Sequence, residues 1–300
     1  MTDKALKKNK IKISEVTLGI AIYFAAVLVV VLLVGIIGYV FVKGIGQIDR
    51  EFLTTAGSAR KQTVGIGGNI VNTLYMIVIT LLMVTPIGVG TAIYLNEYAK
   101  PGRLVSLIEF TTETLSGIPS IIFGLFGLIF FNGILGLGYS LLTGAFTLGI
   151  MVLPLITRNT QEALSTVPES YRSGALGMGA NKWYMIRTIL LPSAMPGIVT
   201  GIILAIGRMV GESAALLFTA GSAALLPRLT DDWGKNLEKL AGKVLEPGGT
   251  LSVELYLQMQ NGEYGAAFGI GCVLLIIVLV INIFTNLIAG RLSRSKQISY

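Results

Sequence analysis

QEALSTVPESYRSGALGMGANKWYMIRTILLP, residues 161–192, is a polar interval between two long apolar runs. It opens with helix-forming residues, is interrupted at Pro168, and resumes as a second helical stretch. Ser-Thr-Val-Pro-Glu (165–169) suits a helix start, with proline near the first helical position and an acid in the first turn. From Tyr171 to Ile189 apolar residues recur at mixed three- and four-residue steps: Tyr171, Ala175, Met178, Ala180, Trp183, Ile186 and Ile189, with Lys182 and Arg187 between them. This predicts an amphipathic helix pair lying against the inner face of a membrane. An interfacial helix with no partner satisfies the same physics.

The rest of the chain is the membrane that this interval needs. Of 300 residues 53% are hydrophobic and 13% charged, with a mean hydropathy of +0.76. A soluble domain cannot bury that much apolar surface, so the chain is read as a multi-span membrane protein. It has no histidine and one cysteine, Cys272. That excludes a disulfide framework, a Cys/His metal site and the histidine-dependent catalytic triads. The Gly-Lys pairs, Gly234-Lys235 and Gly242-Lys243, lack the upstream glycine of a phosphate-binding loop, so no ATP hydrolysis is expected of the chain itself. No cofactor is implied.

At about 20 apolar residues per spanning helix, six spans are predicted, at 18–42, 70–95, 106–131, 138–157, 193–220 and 266–290. The first follows Lys4, Lys7, Lys8, Lys10 and Lys12 and carries no charge from Leu18 to Val42. It is too long for a signal peptide and no small-residue cleavage site follows, so it reads as an uncleaved span. With the N-terminus inside, the inside segments hold 14 Lys/Arg and the outside segments 8, with Arg208 left over. The positive-inside rule therefore puts both termini in the cytoplasm. The basic residues are scattered over short loops, which speaks against nucleic-acid binding. Pro86, Pro119 and Pro154 punctuate spans and are read equally as bends or hinges. The segment 221–265 reads as an external loop with some helix.

In the fifth span, AIGRMVGESAALLF (205–218) holds two opposite charges four residues apart. On a continuous helix Arg208 and Glu212 share a face with Gly197, Gly201, Leu204 or Ala205, Ala215 and Thr219. Intramembrane charges face the bundle interior, so this small, polar face is expected to point inward. Two readings stay open. The pair neutralises itself and locks packing, or Arg208 meets an anion through guanidinium donors that fit phosphate oxygens while Glu212 keeps the site weak. Glu109 and Glu113, a second i,i+4 pair, are read as hydrated at the membrane edge, with gating or partner contact as the sharper alternative. Trp183 and Tyr184 are read as interfacial anchors or as coupling-site packing.

The spacing Gly179, nine residues, Ile189, one residue, Leu191-Pro192 resembles the cytoplasmic "EAA" loop of ABC importer permeases, which ends in G-x9-I-x-L-P. Where that loop carries its leading glutamate this chain has Ser173, followed by Gly174-Ala175. The resemblance implies a coupling helix that docks on a separate ATPase through Ser173, Gly174, Ala175, Gly179, Ile189, Leu191 and Pro192, without a salt bridge from position 173. TPIGVGTAIYLNEYA (85–99), LSGIPSIIFGLFG (115–127), GALGMGANKW (174–183) and AIGRMVGESAALL (205–217) resemble the permeases of phosphate-specific (Pst) importers. LSVELYLQMQNGEYGAAF (251–268) is more similar to the A-type than to the C-type subunit.

The resemblance implies an all-α polytopic protein with six transmembrane helices in a type I (MetI-like) permease bundle. Residues 1–69 hold the N-terminus, first span and an external loop, residues 70–290 the permease domain, and 291–300 a cytoplasmic tail. It also implies a bacterial plasma membrane location and a subunit of an ATP-driven importer of inorganic phosphate, with Arg208 and Glu212 in the path. Its implied partners are a C-type permease in a heterodimer, ATPase subunits, an external phosphate-binding protein and membrane lipid. The rivals are an importer of another oxyanion (molybdate or sulfate), a self-sufficient channel or secondary transporter, and a membrane scaffold.

Overall fold

The computed structural model describes residues 13–58, 63–226 and 233–297. The lysines before residue 13 and residues 298–300 lie outside the described residues.

Among the described residues the secondary structure is helical apart from one short hairpin. α1 (Ile13–Gly44) is followed by α2 (Arg50–Thr54), whose start is capped by the Asp49 carboxylate accepting from the Phe52 amide at 2.7 Å. Strands β1 (Ala56–Ser58) and β2 (Thr63–Ile66) pair antiparallel. α3 (Gly67–Ile93) continues through a π-helical turn to Tyr98. α4 (Arg103–Gly117) and α5 (Ser120–Gly127) follow, α5 continuing through a π-helical stretch to Ile134. α6 (Leu141–Ser165) leads to the short α7 (Glu169–Gly177) and α8 (Lys182–Met185). A π-helical turn joins α8 to α9 (Leu191–Gly211), which is followed by α10 (Ala214–Thr219). α11 (Trp233–Gly242), α12 (Leu251–Gln260) and α13 (Tyr264–Gln297) complete the chain.

Among the described residues five helices are long and apolar enough to cross a membrane: Thr17–Gln47, Gly67–Tyr98, Leu141–Ser165, Lys182–Gly211 and Tyr264–Leu287. The third expected span, 106–131, is not one helix. α4 and α5 meet at 104°. Pro119 lacks the amide proton and its ring disfavours helical backbone at the preceding residue, so Ile118 and Pro119 are both extended. Pro86 and Pro154, by contrast, lie inside α3 and α6 without ending them.

α6 is the central helix. Of its most apolar window 67% is buried, against 0% for α1. Its neighbours α3, α9, α5 and α10 approach closely because glycine sits at the crossings. A Cβ on Gly197 would lie 2.6 Å from that of Ala163, and one on Gly201 2.6 Å from that of Asn159. Small residues give membrane helices the close van der Waals contact that replaces a hydrophobic driving force. Met76, Leu148, Met151, Val152, Ile206 and Met209 fill the main core.

Candidate functional site

Two regions carry the residues singled out from sequence, one at each end of the bundle. The first is the α7–α8 hairpin. Pro168 sits one residue outside α7 as its N-cap, and Glu169 occupies the first turn, where the helix dipole favours an acid. Gly179 turns the chain between the two helices at φ +85°, with nothing within 4 Å of a would-be Cβ. Its requirement is therefore backbone conformation, not space. The Gly179 amide donates to the Leu176 carbonyl at 3.0 Å and the Ala180 amide to the Ala175 carbonyl at 3.1 Å, closing the end of α7.

The apolar series from Tyr171 to Ile189 does not form one face. Ala175 and Ile186 are buried with Leu164, Met185, Leu190 and Ala194, while Ile189 and Leu191 pack at the edge of that cluster. Tyr171, Leu176, Met178, Trp183 and Tyr184 are exposed, Met178 to 83%. The break at residues 178–181 rotates α8 out of register with α7. Ser173 and Gly174 lie on the open side, and the Ser173 hydroxyl donates to the Glu169 carbonyl at 3.1 Å. Pro192 sits in the first turn of α9. The residues expected to act together thus divide into an exposed pair, a turn glycine and a packed remainder.

What holds the hairpin is a residue that sequence reasoning missed. Arg172 has a carboxylate or carbonyl acceptor for all five of its N–H groups. Nε and Nη2 donate to Glu97 Oε1 at 3.2 and 2.9 Å, and Nη2 to the Leu164 carbonyl at 3.0 Å. Nη1 donates to the Val167 carbonyl at 2.9 Å and to Glu169 Oε2 at 3.3 Å. The Arg172 and Glu97 side chains are 13% and 5% exposed. The guanidinium adds donors to carbonyls at and just beyond the end of α6, where the helical amides run out; the Leu164 carbonyl also accepts from the Val167 amide at 3.3 Å. Beside it the Lys182 ammonium stands 4.9 Å from the centre of the Tyr98 ring. A cavity of about 470 Å³ lies here, lined by Asn96, Glu97, Glu169, Arg172 and Lys182 among others. The sequence signal was slight, because Glu97 and Arg172 are 75 residues apart.

The second region is the end of α9. The expected fifth span, 193–220, breaks after Gly211. Glu212 is extended at φ −81°, ψ 118°, and α10 begins two residues on. Glu212 Oε1 accepts from the Ala215 amide at 3.1 Å, so this acid serves a helix start. No Arg208–Glu212 ion pair forms among the described residues, because the helix on which they were to be neighbours has ended. At 1.5 Å per residue Arg208 stands about 26 Å along α9 from Leu191. The expected common face divides as well. Gly197, Gly201 and Ala205 pack inward, whereas Thr200, Leu204, Gly207, Arg208 and Gly211 are exposed. Glu109 and Glu113 are exposed on α4.

The loop after α10 folds back onto this break. The Ser252 hydroxyl donates to the Glu212 carbonyl at 2.7 Å. Asn69 and Asn72 both donate to the Gly249 carbonyl at 3.1 Å, and the Leu251 amide donates to Thr73 Oγ1 at 2.9 Å. Lys243 is buried and donates to the Leu225 carbonyl at 2.7 Å. Burial pushes its amine below the usual lysine range, against the opposing pull of Glu246.

The bundle thus combines a long, continuous α3, a central α6, a bent α4–α5 pair and an exposed helical hairpin before α9, and residues 85–297 match the family of binding-protein-dependent transport system inner membrane components. The chain belongs to this family. It is 37% identical over 263 residues, 86% of this chain and 89% of the other, to the probable ABC transporter permease protein YqgI of Bacillus subtilis (strain 168). It is 34% identical over 232 residues, 77% and 73% of the two chains, to phosphate transport system permease protein PstA 2 of Mycobacterium bovis (strain ATCC BAA-935 / AF2122/97). Its fold resembles that of a chain in a bacterial ABC transporter involved in import of the acidic polysaccharide alginate, at TM-score 0.62 and 16% identity, covering 93% of this chain and 98% of that one. The chain is thus a multi-pass membrane permease subunit of an ABC transporter.

Proposed function

We propose that the chain is the A-type permease subunit of an ATP-driven importer of inorganic phosphate in a bacterial plasma membrane, with both termini in the cytoplasm. The observation that carries this reading is Arg208. Its guanidinium is exposed on the open side of α9, no carboxylate pairs with it among the described residues, and Glu212 is occupied in capping α10. A charge held near the end of a membrane helix without a protein partner is a site for an anion or for a partner subunit. Its fork of donors fits phosphate oxygens. The relatives named as phosphate transport permeases favour phosphate over other oxyanions.

The exposed faces of α7 and α8, with Tyr171, Ser173, Gly174, Leu176 and Trp183, are the docking surface for an ATPase subunit. A C-type permease and an external phosphate-binding protein complete the assembly. The test is labelled-phosphate uptake by wild type and Arg208→Gln, with assembly and ATP hydrolysis followed in parallel. Uptake should collapse in the variant while assembly and hydrolysis persist. Unchanged uptake would remove Arg208 from the path. Competition by molybdate or sulfate at concentrations near that of phosphate would point to another oxyanion.

A further inference from the structure

α3 and its extension run unbroken from Gly67 to Tyr98, 32 residues, or about 48 Å at 1.5 Å per residue. Both ends are held by directional polar contacts. At the first end Asn69 and Asn72, each wholly buried, grip the Gly249 carbonyl, and Asn72 also reaches the Ala223 carbonyl at 3.1 Å. Thr73 takes the Leu251 amide. At the far end Glu97 holds Arg172, and Tyr98 faces Lys182. The α7–α8 hairpin is thus fastened to α3 on both sides of its Gly179 turn. Hydrogen-bonded anchors cannot slide as apolar contacts do, so a displacement of the hairpin must carry α3 with it or break them.

We propose that α3 is a connecting rod between the α7–α8 hairpin and the loop ending in α12, with Arg172 as the positioning residue at its hairpin end. This rests on the reading above, in which an ATPase sits on the hairpin. The Thr73 end of the rod leads back to the transport path. Leu251, held by Thr73, adjoins Ser252, whose hydroxyl bonds the Glu212 carbonyl at the α9–α10 break. A shift of α3 along its axis is therefore delivered to the backbone four residues from Arg208. Motion travels through one continuous helix and two sets of named bonds.

The test uses the complete transporter, with its partner subunits and binding protein, in proteoliposomes. Arg172→Gln should lower the phosphate imported per ATP hydrolysed at least tenfold, the two being measured on the same proteoliposomes. An unchanged ratio overturns the proposal. A cross-linking variant covers the case in which Arg172→Gln does not assemble. Asn96→Cys and Glu169→Cys, which line the same cavity from α3 and α7, are joined by a short reducible bis-thiosulfonate in a Cys272→Ala background, with single-cysteine labelling as control. If the hairpin and α3 travel together, the cross-linked transporter keeps its uptake and its ATP hydrolysis. Loss of both on cross-linking and recovery on reduction would show that the two must separate, and the rod would be wrong. A wild-type complex that hydrolyses ATP but imports no phosphate would sink the substrate assignment alone, and the effect of the cross-link on hydrolysis would still decide the rod.

Discussion

Glu97→Leu would strand a charge. Arg172 keeps Glu169 as its remaining carboxylate partner, but that side chain is 80% exposed, and an exposed pair contributes at most about 1 kcal/mol. Removing one member of a buried ion pair costs about 3–5 kcal/mol. The loss falls on the attachment of α7 and so lowers the free energy of its local opening. At tenfold per 1.4 kcal/mol, amide exchange across residues 173–178 should quicken by between about 100-fold and about 4,000-fold. Adding Arg172→Met removes the stranded charge. The Arg172 hydrogen bonds to the Leu164 and Val167 carbonyls are then lost, at about 1 kcal/mol each, while the Leu164 carbonyl keeps the Val167 amide. The double variant should therefore lie about 2 kcal/mol below wild type, near 30-fold in exchange, and be better protected than Glu97→Leu alone. Hydrogen–deuterium exchange of the chain in nanodiscs, resolved by peptide, reads both numbers. A double variant that exchanges as fast as the single one, or faster, would refute the argument that the unpaired cation is the cost.

Gly179→Val should weaken the hairpin by about 1–2 kcal/mol through its left-handed backbone, whereas Gly179→Asn should cost less, since asparagine tolerates that region; peptide-resolved exchange again distinguishes them. Gly124→Val should destabilise by about 1–3 kcal/mol, because even a Cβ there would lie 2.8 Å from the Ala215 Cα, while Gly117→Ala, with open space around it, should leave thermal unfolding in nanodiscs unchanged. Lys243 supplies a pH response. Its folded pKa lies below 10.5, so within the window between the two values the unfolded chain binds more protons and stability rises with pH. Below the window the penalty is present in full. Lys243→Met should abolish this rise, as seen by comparing melting temperatures of the two chains on the alkaline side of neutrality.

Long apolar runs made most helices legible, because a membrane helix must satisfy its backbone internally and declares itself by hydropathy. A bend or hinge was expected equally at Pro86, Pro119 and Pro154, and of the three only Pro119 ends a helix, Pro86 and Pro154 sitting in continuous ones. The break at Glu212 has no proline at all. Gly211 and Ser213 flank it, and their cap-like character was the available hint. The i,i+4 reading of Arg208 and Glu212 assumed the continuity that this break removes. On the hairpin, the expected interruption at Pro168 is where α7 begins, but the stretch from Tyr171 to Ile189 was read as one helix and the structure turns the chain within it at Gly179. The Gly-x9-Ile-x-Leu-Pro spacing gave no view of Arg172 and Glu97, because an ion pair between distant segments leaves no local pattern. The glycines of α9 were read correctly as a packing surface but wrongly as Arg208's own face, since a shift of three or four residues spans the difference between contact and exposure.

α1 stands apart from the rest. Its contacts with α13 include Tyr39 edge-on to Phe268, the Val40 carbonyl with the Cys272 thiol, and Gly44 against Phe268, all in its last third. The charge-free stretch from Leu18 to Val42 is about 37 Å long at 1.5 Å per residue, against a hydrocarbon layer of about 30 Å. A helix too long for its bilayer leans to fit, and one gripped near a single end can lean without disturbing the bundle. Its tilt is therefore set by the lipid: a thicker membrane should draw α1 upright and a thinner one lay it over, while the core around α6 keeps its shape.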